Sequence, residues 1–244
     1  MNLIRVFLPI LVSCVLMAQS DQELLRRGKA FERQRDGQSA ILVLRPLLNK
    51  KNPSAQFIVG TIYLEGSRIY PGITRDIVRG WELIKSSAES GDPDAQYFLA
   101  NEYAYGTGSE NSGLPHDRSK GVYWFKKAAT HGDVGAMILL ADCYREGWGT
   151  NIEFVQAIKW YRKASSKGNS VAMAKLARMY LEGEGVPQNF IEAHAWLNLA
   201  ATQSKSETVS FDQERDALAA KMNSNQIEKA QARAKVILAE LRIN

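Results

Sequence analysis

The side chains that could do chemistry are few and scattered. The chain carries three histidines, His116, His131 and His194, and two cysteines, Cys14 and Cys143. A helical metal site needs ligands repeating on one face, and none of these histidines has a ligand at i+4. Nucleophilic catalysis needs an activated nucleophile beside a base. No Ser is followed three residues later by Lys, and Ser-Asp-Asn, Lys-Thr-Gly, Gly-x-Ser-x-Gly, His-Glu-x-x-His and the phosphate-cradling Gly-x-x-x-x-Gly-Lys loop are absent. These residues point away from an enzyme and away from a resident metal or cofactor. What recurs instead is a set of aromatic and charged side chains at fixed spacing, which suits binding to a peptide or to the edge of another protein.

The recurrence defines the elements that must position those side chains. Four segments align, starting at Ala55, Ala95, Ala136 and Ala172. Each is followed by a Tyr and a Gly: Tyr63/Gly66, Tyr103/Gly106, Tyr144/Gly147 and Tyr180/Gly183. A tryptophan follows in each unit, at Trp81, Trp124, Trp160 and Trp196, and the first three units close on Gly91, Gly132 and Gly168. An apolar residue at offsets 0, +4 and +8 lies on one face of a helix. The small residue at +5 lets a second helix approach, and the Gly after Tyr ends the first helix in a left-handed conformation. Trp124, Trp160 and Trp196 are expected in the core. No single helix pair can cover its own apolar face, so the pairs must stack.

This pattern resembles the Sel1-like repeat family, relatives of the tetratricopeptide repeat. Gly147-Trp148-Gly149, Trp160-Tyr161-Arg162-Lys163-Ala164, Gly183-Glu184-Gly185-Val186-Pro187 and Trp124-Phe125-Lys126-Lys127-Ala128-Ala129 carry the likeness. The first unit departs from it, because Gly66-Ser67-Arg68 lacks the second Gly. The resemblance implies an all-α, right-handed αα-solenoid of Sel1-like helix pairs, with repeats at about 54–92, 94–132, 135–168 and 171–203. Residues 21–53 would form an N-terminal cap of two helices, Glu23–Arg35 and Gly37–Asn49. Residues 204–244 would form a C-terminal cap of two more, Phe211–Met222 and Asn225–Leu241, with Asn223 and Gln226 capping each other.

In solenoids of this kind the first helix of each pair lines the concave face. Carried onto this sequence, that face holds Thr61, Asn101, Asp142 and Arg178 in one row. Phe57 and Tyr97 lie in a second, and Tyr105, Glu146 and Glu182 in a third. Trp148 stands in a turn and is a further contact candidate. Units one and two are four and five residues longer than units three and four between the helix-ending Gly and the second helix. Tyr70-Pro71-Gly72 and Ser109 to Pro115 are therefore inserted turns, expected as neighbours on one edge and as a second place for a partner to bind.

The chain has 244 residues, of which 45% are hydrophobic and 23% charged, too apolar for a disordered protein and long enough for a sizeable core. Its net charge of +5 sits largely between Asp21 and Lys51, where eight basic residues face four acids. This reads as a solvated helical face and gives no support to nucleic-acid binding. Residues 1–20 read as a secretory signal peptide: Arg5, an apolar run from Val6 to Met17 too short to span a bilayer, then Ala18 and Ser20 before a cleavage point. Leu11-Val12-Ser13-Cys14 also resembles a lipobox, and only lipidation at Cys14 would put the protein on a membrane; Val15-Leu16-Met17 argues against it. Cleavage after Ser20 would leave Cys143 alone, so no internal disulfide could form.

The expectation is thus a periplasmic or secreted bacterial scaffold whose partner is another protein, an envelope protein or a secreted effector. The family includes immunity proteins against type VI secretion phospholipase effectors. A penicillin- or peptidoglycan-binding, or β-lactam-hydrolysing, protein is the alternative that the resemblance implies.

Overall fold

A computed structural model of the protein describes residues 20–106, 113–204 and 211–242. Residues 1–19 of the leader, Cys14 among them, and Ser109 to Ser112 of the second inserted turn lie outside them. Twelve α-helices and one 3-10 turn make up the described elements, with no strand among them. The N-terminal cap is α1 (Asp21–Arg33) and α2 (Gly37–Asn49). Four helix pairs follow: α3 (Pro53–Glu65) with α4 (Ile77–Glu89), α5 (Pro93–Tyr105) with α6 (Arg118–Thr130), α7 (Val134–Glu146) with α8 (Phe154–Ser166), and α9 (Ser170–Glu182) with α10 (Phe190–Gln203). The C-terminal helices are α11 (Phe211–Ala219) and α12 (Ser224–Arg242). The fold is the expected αα-solenoid class. Three of the four capping helices have shifted ends: α1 starts and stops two residues early, α11 stops at Ala219, and α12 runs to Arg242.

Two compact units divide the chain, residues 20–99 with 113–114 and residues 100–106 with 115–242, so that α5 contributes its first part to one and its last part to the other. In the first unit α2 packs on α3 and α3 on α4; in the second α6 packs on α7, α8 on both α7 and α9, and α10 on α9, α11 and α12.

One helix pair is built the same way four times. Asn52, Asp92, Asp133 and Asn169 each accept a hydrogen bond from the backbone N–H of the repeat's first Ala, at 2.6–3.1 Å, which satisfies a helix N-terminus that would otherwise present bare donors. The stripe then buries Ala55, Val59, Ala95, Leu99, Ala136, Leu140, Ala172 and Leu176 completely. Gly147 and Gly183 end α7 and α9 with φ near +75°, a conformation that a Cβ would strain. Finally, the carbonyl of each repeat Tyr accepts the N–H of the residue that caps the second helix: Tyr63 from Asp76, Tyr103 from Asp117, Tyr144 from Glu153 and Tyr180 from Asn189, all at 2.7–2.9 Å. That bond closes the turn whatever its length.

The second Gly of each Gly-x-Gly has a separate reason. A Cβ on Gly149 would lie 2.5 Å from the backbone of Arg118, and one on Gly185 would lie 2.4 Å from the Cβ of Phe154. Arg118 and Phe154 each open the second helix of the preceding pair, so this glycine sets how closely one pair seats on the next. Position 68 is Arg instead, and there the chain makes a 3-10 turn at Gly66–Arg68.

Two expectations are corrected. Trp81, Trp160 and Trp196 are buried, but Trp124 is only half-buried because its neighbour Phe125 fills the core position. The first inserted turn is an open edge only in part. Tyr70 is 4% exposed and Ile73 is buried, both packed into the cluster made by Leu24, Val43 and Leu44 of the cap, and the Tyr70 hydroxyl donates to Glu32 at 3.0 Å. Tyr70 and Ile73 thus fold back between cap and first pair, while Pro71 and Gly72 stay exposed.

Candidate protein-binding face

The residues expected to contact a partner fall in both units. In the first, Phe57 sits edge-on to Phe98 at 5.8 Å between ring centroids. Thr61 donates its hydroxyl to the Ile58 carbonyl at 2.8 Å, so that donor is already engaged. Tyr97 is half-buried.

In the second unit the polar row is largely engaged by the protein itself. Asp142 accepts from Lys175 Nζ at 2.8 Å and from the hydroxyl of Tyr161, a side chain with no exposed surface. Burial first, and then the bond to Asp142, hold the Tyr161 phenol far above its usual range, so it stays a donor. Arg178 forms a forked ion pair with Glu214 of α11, at 2.6 and 3.2 Å, so the C-terminal helices engage the face at this point. Asn101 is half-buried. Arg145 pairs with Glu146 at 2.7 Å and stands 3.7 Å from Glu184, whose carboxyl is raised by burial. Glu146 and Glu182 remain exposed at the surface. Cys143 is buried, and desolvation, reinforced by Asp142 and Glu146, pushes its thiol up to about 11, which keeps it protonated and unreactive.

A different grouping presents itself outward. Trp148 is 42% exposed and Tyr105 38% exposed; their rings meet edge to face at 6.3 Å. Tyr105 leans on the buried Phe125 at 6.4 Å, and the Arg118 guanidinium lies 5.5 Å from the Trp148 ring centroid. An edge-to-face pair is held by the opposed charge of ring edge and ring face, and the cation over the indole by the same quadrupole. Three elements build the cluster: the end of α5, the start of α6 and the turn after α7. Gly149 makes it possible, since any side chain there would collide with Arg118. The repeat spacing picks out Tyr105, and Trp148 is picked out by its place in a turn, but the sequence does not join them; Arg118 is not picked out, although its place opposite the next unit's second Gly is a signal that the spacing contains.

Among the described residues no group of His, Cys, Asp or Glu is gathered as metal ligands would be. His194 is buried, its Nδ1 has no hydrogen-bond partner among the described residues, and desolvation followed by the charge of Arg215 lowers its pKa.

The model of the Sel1 repeat matches residues 53–92, 93–133, 134–169 and 170–205, which is more than half of the chain. Among solved structures, a protective antigen of uropathogenic Escherichia coli that displays an SLR fold is similar over 88% of this chain, with 26% identity and a TM-score of 0.69. This chain spans only 45% of that antigen's length. A Sel1 repeat protein from Oxalobacter formigenes is similar in fold, with 24% identity and a TM-score of 0.64, over 87% of this chain and 86% of that one.

Proposed function

Since this chain belongs to the Sel1 repeat family, we propose that it is a non-enzymatic scaffold of the bacterial envelope that binds another protein through the Tyr105–Trp148–Arg118 cluster. The single observation that carries this is the exposure of the two rings beside a cation. Trp, Tyr and Arg dominate the energetics of protein interfaces because they offer large, stiff, amphipathic contact surface. The 42% of Trp148 that stays open is apolar surface that a partner could cover. The polar row of the same unit is engaged in holding the array together and would serve at most as the rim.

The reading includes export by the leader, which residues 1–20 support by pattern alone. Its finer form, an immunity protein that neutralises a phospholipase effector of type VI secretion, rests on the family resemblance.

The test is affinity purification of the tagged chain from its native envelope, beside Trp148→Ala and Tyr105→Ala variants. A partner held by the wild type and weakened about thirtyfold or more by either variant, with helicity intact, is the expected result. A partner held equally by all three would move the contact elsewhere, and identification of that partner as a lipase would establish the immunity form.

A further inference from the structure

On the second unit, a groove of about 590 Å³ opens between helices that are far apart in sequence. One wall is α8, which contributes Lys159, Arg162 and Lys163, with Lys167 at its C-cap; the other is α12, with Arg233, Glu240 and Leu241. Lys159, Arg162 and Lys163 stand at i, i+3 and i+4 and so share one face of α8, and Lys167 follows at the C-cap. None of them pairs with a carboxylate among the described residues. Arg162 bonds only the neutral Tyr180 hydroxyl at 2.9 Å, and Lys163 lies 4.6 Å from the Trp160 ring centroid. By contrast Arg233, across the groove, is neutralised by Glu192 at 2.6 Å and Glu240 at 3.3 Å. The positive charge is thus uncompensated on one wall only.

Between the walls, Ala129, Met137, Trp196 and Ile237 supply an apolar floor. Trp196 is buried, and its indole N–H has no hydrogen-bond partner among the described residues. A buried donor left unpaired is costly, but this one lies beneath the floor, where an occupant of the groove does not reach it.

We infer that this groove docks an acidic segment of a partner protein, with carboxylates against the α8 cations and an apolar side chain over Met137, Trp196 and Ile237. Charge complementarity selects an anion, and the floor selects which anion. A nucleic-acid backbone carries no apolar side chain to fill the floor. An anionic bilayer presents a plane of headgroups and cannot reach down to it. An acidic peptide with one bulky apolar residue meets both, and the volume is that of an ordinary ligand-sized cleft. The site is separate from the Trp148 cluster and does not depend on it.

The experiment pans a phage-displayed random peptide library on the full chain, then measures the enriched peptides by fluorescence anisotropy against three variants. These are the double reversal Lys159→Glu with Lys163→Glu, the control Lys126→Glu on an exposed lysine outside the groove, and Trp148→Ala. All the reversed lysines are exposed, so folding should survive, and circular dichroism checks it. The expected result is an acid-rich consensus with one bulky apolar position. Its binding falls about tenfold or more in the double reversal and is unchanged in the other two variants. The proposal is overturned if no acidic consensus emerges, if the double reversal binds the peptides as well as wild type, or if vesicles rich in anionic lipid or a single-stranded oligonucleotide displace them. Loss in Trp148→Ala instead would assign the peptides to the other face.

Discussion

At the scale of single residues, the polar row reads differently from its sequence. Asp142 ties a buried phenol and a lysine to α7, so removing it orphans Tyr161. Asp142→Ala should destabilise the protein by about 1–3 kcal/mol, the cost of a buried hydroxyl without an acceptor. Asp142→Asn, which can still accept from Tyr161, should cost under about 1 kcal/mol, the worth of a partly exposed ion pair. Urea unfolding of both variants checks the split. Lys51 offers the opposite sign. It occupies the place where later units have Gly91, Gly132 and Gly168, and it holds φ at +54°. Relief of about 1–2 kcal/mol of left-handed strain, less the added freedom of glycine in the unfolded chain, about 0.5–1 kcal/mol, predicts that Lys51→Gly raises stability by roughly 0.5–1 kcal/mol. His194 supplies a pH dependence. Burial lowers its folded pKa below the unfolded value, so its contribution is fully present above the unfolded pKa of about 6.5 and is lost as pH falls towards the folded one. The melting temperature should therefore drop between about pH 7.5 and pH 5.5, and His194→Gln should flatten that part of the profile.

At the scale of elements, the helix pairs were legible because their signals are local. The Ala-Leu-Tyr stripe, the capping Asn or Asp and the terminal Gly all lie within one helix, and the structure uses each as the spacing implies. What the sequence hid was settled by partners far along the chain. Arg178 meets Glu214, 36 residues away, and Asp142 meets Lys175, 33 residues away; no periodicity announces either. Trp124 lost its core place to an adjacent ring that the repeat pattern treats as equivalent. The basic stripe on α8 and its C-cap was readable in principle, at Lys159, Arg162, Lys163 and Lys167, but not the apolar floor that turns it into a groove. The inward turn of Tyr70 was not legible either, because insertion length says nothing about which way a loop folds. Its role as a packing element predicts that Tyr70→Ala costs about 3 kcal/mol, as for other large core rings. Tyr70→Phe, which loses only the bond to Glu32, should cost about 0.5–1.5 kcal/mol. Thermal melts of the two variants would separate ring from hydroxyl.

At the scale of the whole molecule, stability is a sum over neighbouring helices rather than one shared core. Damage should therefore stay where it is made. Hydrogen exchange on the Tyr70→Ala variant is expected to quicken in residues 21–73 and to remain slow in residues 134–203. Uniform quickening along the chain would show that the units unfold as one.

The bond from each repeat tyrosine's carbonyl to the cap of the second helix spans nine residues in two units and thirteen or fourteen in the others. Chain-closure entropy charges only about 0.4 kcal/mol for that difference. Length at this joint is therefore in itself almost neutral for folding, and a lineage can lengthen or shorten the segment wherever it carries no packing side chain such as Tyr70. Recognition and architecture are thereby free to evolve at different speeds.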